Sequence, residues 1–203
     1  MRNRTEELRA SPRMFESDLM DRLSRIHPAV PVAIFAPTIV ALFATGSGRL
    51  GGQAIAYALG GYVFWTLTEY WMHRVVFHFE PERGVGARIH WLIHGVHHDH
   101  PNDPMRLVMP PAASIPLALG FYGLFHLTLG ADAALPFGAG FLAGYLLYDM
   151  THFYLHHHTP RTGPGKWLRE LHMRHHFQDD TRGFGVSAPF WDVVFRTAPR
   201  PRR

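Results

Sequence analysis

The sequence contains no cysteine. That excludes disulfides and thiolate metal sites, and it leaves the redox compartment unmarked. Charge is also missing over long distances. Four stretches, Ala29–Thr45, Gly51–Thr68, Leu107–Ala131 and Ala133–Tyr148, hold no Asp, Glu, Lys or Arg. No apolar run precedes the first of them, because residues 1–28 are polar and Arg-rich, so no signal peptide is expected. No repeat of solenoid type is present. The 203 residues fit one domain with its own core.

A bilayer core of roughly 30 Å is crossed by about 20 mostly apolar helical residues. The third stretch reaches that length, and the other three reach it with a flanking turn. The expectation is therefore an all-α integral membrane protein with four transmembrane helices. A net charge of +4 and a pI near 9.8 would also suit a nucleic-acid binder. The placement of charge argues otherwise. Arg and Lys number six in residues 1–28, four in residues 73–107 and nine in residues 152–203, and only Arg49 lies between the expected far-side ends. Nineteen of the 20 thus share one face. The positive-inside rule makes that face cytoplasmic, together with both termini. Residues 1–28 are expected to form a cytoplasmic tail and residues 29–203 a membrane domain with a helical cap. Within the tail, Ser11-Pro12 reads as a helix start, and Phe15, Leu19, Leu23 and Ile26 recur at helical spacing, as in an interfacial amphipathic helix. Gly130 to Pro136 reads as a tight hairpin, and Thr162-Gly163-Pro164 as the opening of a late helix.

What the chain has in abundance is histidine. It carries 16, with no run longer than the three at His156 to His158, so a contiguous metal-sequestering tract is excluded. Four groups stand out: His73-x4-His78, His94-x2-His97-His98, His152-x3-His156 and His172-x2-His175-His176. Positions i, i+3 and i+4 share a helix face, so each HxxHH motif is expected to converge on one metal region. His73 and His78 are about 140° apart on an ideal helix and meet only if the helix ends or distorts between them. All four groups fall at the expected cytoplasmic ends of spans or in cytoplasmic segments. Ten imidazoles are too many for one tetrahedral zinc and suit two metals with open positions. Glu69 and Asp149 each lie one turn before a group, which makes them candidates to hold the outer ring nitrogens of His73 and His152.

These residues resemble the fatty acid hydroxylase superfamily of membrane enzymes, and most closely the catalytic domain of its fatty acid 2-hydroxylases. The similarity rests on Phe15-Glu-Ser-Asp-Leu, Glu69-Tyr-x2-His-Arg, His90-Trp-Leu-Ile-His-Gly-Val-His-His, Arg106-Leu-Val-Met-Pro-Pro, Gly144-Tyr-x2-Tyr-Asp-x2-His, Phe184-Gly-Val-Ser and Trp191-Asp-x-Val-Phe. The resemblance implies ten metal ligands: His73, His78, His94, His97, His98, His152, His156, His172, His175 and His176. It implies two irons, with zinc able to replace them in purified protein, O2 as co-substrate and a fatty acyl chain hydroxylated at C2. Eukaryotic members carry an N-terminal cytochrome b5-like domain that the 28-residue tail is too short to hold. A separate cytochrome b5-like or ferredoxin-like electron donor is therefore expected. An aliphatic C–H bond offers no acidity and no leaving group, so redox metals are needed, and zinc has no accessible redox change. Two rivals remain: a sterol or carotenoid enzyme of the same superfamily, and a non-catalytic zinc-binding membrane protein.

Overall fold

The computed structural model describes residues 3–200, and every regular element among them is helical. In chain order these are α1 (Arg4–Leu8), α2 (Asp18–Leu23), α3 (Ala29–Leu50), α4 (Gln53–Trp71), α5 (Gly84–His90), α6 (Val96–Asp99), α7 (Pro111–Leu129), α8 (Ala131–His157), α9 (Gly163–Phe177) and α10 (Phe190–Val194). Two wide π-helical turns interrupt the series, Met72–Phe77 directly after α4 and Trp91–Gly95 between α5 and α6.

The long helices α3, α4, α7 and α8 form a bundle in which α8 touches each of the other three. Small residues set the spacing. A Cβ added at Gly61 would strike the Phe137 carbonyl, and one at Gly140 would strike the Ala58 carbonyl. The backbones of α4 and α8 thus approach as closely as glycine permits, the usual way helices associate without a hydrophobic driving force. Aromatic rings fill the remaining space, with Phe35, Trp65, Phe125, Phe141 and Tyr145 buried together. Trp65 meets Phe141 and Tyr145 edge-on at 5.1 and 5.4 Å between ring centres, an arrangement favoured by the ring quadrupoles.

By length and composition, two helices among the described residues are apolar enough to cross a membrane, α3 and α7. The expected count of four is not reached on that criterion. Hydroxyl groups, glycine and the titratable residues at their ends lower the hydropathy of α4 and α8, whose inner faces are protein-facing. The hairpin also differs from expectation. Gly130 alone, at φ 81°, turns the chain between α7 and α8, and Pro136 lies inside α8.

Beneath the bundle sits a cap made from the end of α8, α5, α6, α9, α10 and the N-terminal segment. The helix expected to start at Ser11-Pro12 starts later, where the Ser17 side chain accepts from the Met20 N–H. Residues 11–16 stay non-helical because their polar groups are engaged elsewhere. Arg25 bonds the Ser11 carbonyl at 3.1 Å, Arg106 bonds the Pro12 carbonyl, and the Met14 N–H donates to Asp21 at 2.8 Å. Phe15 and Ile26 therefore fall outside α2, while Leu19 and Leu23 stand exposed on it.

Candidate metal centre

Four helical segments converge beneath the bundle, and local distortion decides where their imidazoles point. After α4, the Met72–Phe77 turn closes with the His78 N–H bonded to the His73 carbonyl at 3.2 Å, an i→i+5 contact. The wider π turn brings His73 and His78 onto one side, with ring centres 5.1 Å apart. His94 lies in the second π turn and His97 and His98 in α6. His152 and His156 share one face of α8, and His172, His175 and His176 come from α9.

The ten rings fall into two groups of five. His73, His78, His94, His98 and His175 form the first, and His97, His152, His156, His172 and His176 the second. Within each group the candidate ligand atoms all lie within 4.8 Å of one another. This corrects the expectation that each HxxHH motif serves one region. Both motifs are split, in opposite senses. The first gives its outer two histidines to one group and its middle one to the other, and the second does the reverse. Successive residues on a helix are about 100° apart, so i and i+4 lean one way and i+3 the other. His27 and His126 take no part. The His27 Nδ1 instead accepts the Ala29 N–H at the start of α3, at 3.1 Å, and His126 is exposed on α7.

The inner nitrogens are crowded together. His73 and His94 Nε2 are 3.2 Å apart, His78 and His175 Nε2 3.1 Å, and His156 and His172 Nε2 2.7 Å. In the first group the tautomer is fixed from outside: His73 Nδ1–H donates to the Phe184 carbonyl at 2.7 Å and His175 Nδ1–H to the Arg182 carbonyl at 2.8 Å. Each Nε2 then presents a lone pair to the centre, an arrangement that is repulsive unless a cation lies between. Burial, with repulsion from neighbouring imidazoles, pushes the pKa of His94, His97, His172 and His176 well below the ordinary value. His78 is pushed down to about 3 by the same causes. Buried, neutral and convergent imidazoles fit a divalent ion in each group.

Glu69 and Asp149 do not hold His73 and His152. Glu69 accepts the Ser187 N–H at 2.7 Å and the Ser187 hydroxyl. Asp149 accepts the Met109 N–H at 3.4 Å and the Tyr145 hydroxyl at 3.3 Å. The groups that do hold the outer nitrogens of His73 and His175 are main-chain carbonyls, which residue type cannot reveal. The Phe184-Gly-Val-Ser stretch marked the place without giving a role.

A cavity of about 510 Å³ opens beside both groups, with His94 of the first and His97 and His152 of the second in its wall. Apolar side chains, among them Met72, Phe77, Val108 and Leu117, form most of the rest. A smaller space of about 50 Å³ adjoins it, sharing Met72, Phe77, Met109, Leu117 and Tyr148, and is lined further by Trp65 and Phe121 in the bundle.

A helical bundle capped by two five-imidazole groups beside an apolar cavity defines a protein built for metal chemistry on a greasy substrate. Residues 58–197 match the family model for fatty acid hydroxylase, and the chain belongs to that family of enzymes. It is 38% identical to dihydroceramide fatty acyl 2-hydroxylase FAH2 of Arabidopsis thaliana, over 93% of this chain and 80% of that protein. It is 35% identical to human fatty acid 2-hydroxylase, over 91% of this chain and 56% of that protein. A solved structure of Scs7p, in which only the hydroxylase domain is visible, superposes with a TM-score of 0.85 and 34% identity, covering 92% of this chain and 72% of that one.

Proposed function

We propose that this chain hydroxylates a fatty acyl chain at C2 in an O2-dependent reaction, using two irons held by the ten grouped histidines. The observation that carries this reading is that one cavity has histidines of both groups in its wall. A non-catalytic zinc protein needs a closed site, and this one is open to a space large enough for a lipid chain. In the family, the relatives named above act on fatty acyl groups or dihydroceramide, and the narrow continuation between α4, α7 and α8 suits an acyl tail better than a ring system.

When bound, the metal pair supplies the electrons that activate O2 and allow hydroxyl to replace hydrogen on an unactivated carbon. The protein's residues supply placement. Met72, Phe77, Val108 and Leu117 line an apolar bed that keeps water from the reacting carbon. His94, His97 and His152 bound its inner end, so the carbon seated there is the one attacked. Ser24 and Arg106 lie toward the N-terminal wall, where a polar head group is accommodated. Electrons come from a protein donor of the cytochrome b5 or ferredoxin class.

The bundle is read as four membrane spans, with the cap and both termini cytoplasmic and residues 3–28 lying across the cap. Support comes from the exposed apolar residues Val40, Leu59, Leu119 and Leu127 on the outer surfaces of α3, α4 and α7. Arg49 and Asp132 pair at 2.8 Å at the bundle end away from the histidines. The deciding assay supplies iron-loaded and zinc-loaded protein with a reductant, an electron donor and labelled O2. Free acid, acyl thioester and ceramide substrates are compared. One labelled hydroxyl at C2, from iron-loaded protein alone, is the expected result. Full activity of the zinc form, or hydroxylation only of a sterol or carotenoid, would overturn it.

A further inference from the structure

The two histidine groups are held differently from outside. In the first, His73 and His175 each donate their outer N–H to a main-chain carbonyl, Phe184 and Arg182 respectively. In the second, the outer Nδ1 atoms of His156, His172 and His176 are buried without a partner among the described residues. The two carbonyls flank Gly183, whose φ of 81° lies in the left-handed region, and a Cβ there would come within 2.8 Å of Pro199 Cγ. Glycine at this point allows the chain to reverse and aim both carbonyls at rings.

Two buried carboxylates pin that turn. Asp192 accepts the N–H groups of Phe184 and Gly185, each at 2.9 Å, and the Thr197 hydroxyl at 2.8 Å. Glu69 accepts the Ser187 N–H at 2.7 Å and the Ser187 hydroxyl. Asp192 and Glu69 are 1% and 3% exposed, so these bonds are shielded from competing water. The turn is closed further by the Gly183 N–H on the Thr197 carbonyl at 2.9 Å.

We infer that the Arg182–Ser187 turn, fixed by Asp192 and Glu69, is a clamp that makes the first histidine group the slowly exchanging metal site and leaves the second labile. Asp192 and Glu69 are then positioning residues acting through the Phe184 and Arg182 carbonyls. A ring whose tautomer and direction are already fixed loses less freedom when it ligates, and its inner nitrogen is more basic. This rests on the two-metal reading above.

The test loads detergent-solubilised full-length protein with zinc, which is redox-silent, and follows metal release into excess chelator with a colorimetric indicator. Two metals per chain should leave in two phases of equal amplitude. His175→Ala should remove the slow phase and His172→Ala the fast one. Asp192→Asn replaces one acceptor by a donor and should speed the slow phase about 10–100-fold, the range typical for partners of ligating histidines, with the fast phase unchanged. Ser187→Ala, a smaller change for use if Asp192→Asn does not fold, should speed the slow phase severalfold. Fewer than two metals in the parent protein would refute the two-metal reading itself. Two metals leaving in one phase would overturn the clamp alone, as would both phases quickening together or neither responding in a folded variant.

Discussion

His98 and His176 stack with ring centres 4.3 Å apart and planes 29° from parallel, although they belong to different histidine groups and different helices. The two groups therefore adjoin, each with four rings from its own pair of segments and one crossing from the other HxxHH motif. Mutational effects should follow the spatial grouping and not the motif. His97→Ala and His152→Ala should each lose the same metal, whereas His97→Ala and His94→Ala should lose different ones. Metal analysis of the purified variants distinguishes these outcomes. Activity should fall by more than the roughly 10–100-fold typical of an outer hydrogen-bond partner. Equal metal loss from both sites in every variant would contradict the split.

His126 offers the matching control. It is exposed on α7, far along the chain from either motif. His126→Ala should retain two metals and nearly unchanged hydroxylation, measured side by side with His97→Ala.

Acidity should weaken the metal-free fold. His94, His97, His172 and His176 have pKa values pushed well below the ordinary 6.5, first by burial and then by neighbouring imidazoles. In the unfolded chain they protonate near 6.5, while the folded chain resists until far lower pH. The unfolded state thus binds more protons below 6.5, so stability is full above that pH and declines as pH falls. Chelator-treated protein should show a steadily falling Tm from pH 7.5 to 5. A flat profile would contradict the burial of these rings.

Asp21 behaves in the same direction in a lower window. Its pKa is lowered to about 2, chiefly by the Met14 N–H; desolvation is the next largest effect and opposes it, and Arg25 and Arg106 add to the lowering. It bonds Arg106 at 2.8 Å and so ties the N-terminal segment across the cavity wall. Its contribution is present above the unfolded value of about 3.9 and fades as pH falls toward 2. Asp21→Asn should reproduce that loss at neutral pH. Hydrogen exchange of residues 10–26 should quicken, with little change around α8.

Gly140 sets the distance between α4 and α8, since a Cβ there would meet the Ala58 carbonyl. Gly140→Val should destabilise the bundle by about 1–3 kcal/mol or more, the usual range for overpacking. Thermal unfolding in detergent checks this. Gly120→Ala, where a Cβ meets nothing within 4 Å, should be close to neutral.

The ten histidines were legible because spacing alone separates them from a tract, and the family motifs cover nearly the whole chain. The all-helical class and the continuation of α8 past Asp149 into histidines are legible for a related reason, since both follow from uninterrupted helical pattern. The division of each motif between two groups is not legible from spacing alone, because i, i+3 and i+4 share a broad face on which the i+3 position leans away. Glu69 and Asp149 lie one turn from His73 and His152 in sequence, but their hydrogen bonds go to Ser187, and to Met109 and Tyr145, respectively. The true partners of His73 and His175 are carbonyls more than 100 residues and seven residues away, respectively. The late start of α2 was hidden for a similar reason: Arg106 and Arg25 engage the Ser11–Pro12 backbone from outside the segment.

The wide turn at Met72–Phe77 makes the phase of this helix a discrete quantity. It accommodates one residue more per turn than the α-helix that precedes it, and that extra residue is what lets His73 and His78 face the same way. Removing any single residue from the turn would return the segment to ordinary helix and swing everything after it by about 100°. This stretch should therefore accept substitution on its outer side, at the exposed Val75, while tolerating no insertion or deletion at all. Chain length across six residues is constrained more tightly here than side-chain identity.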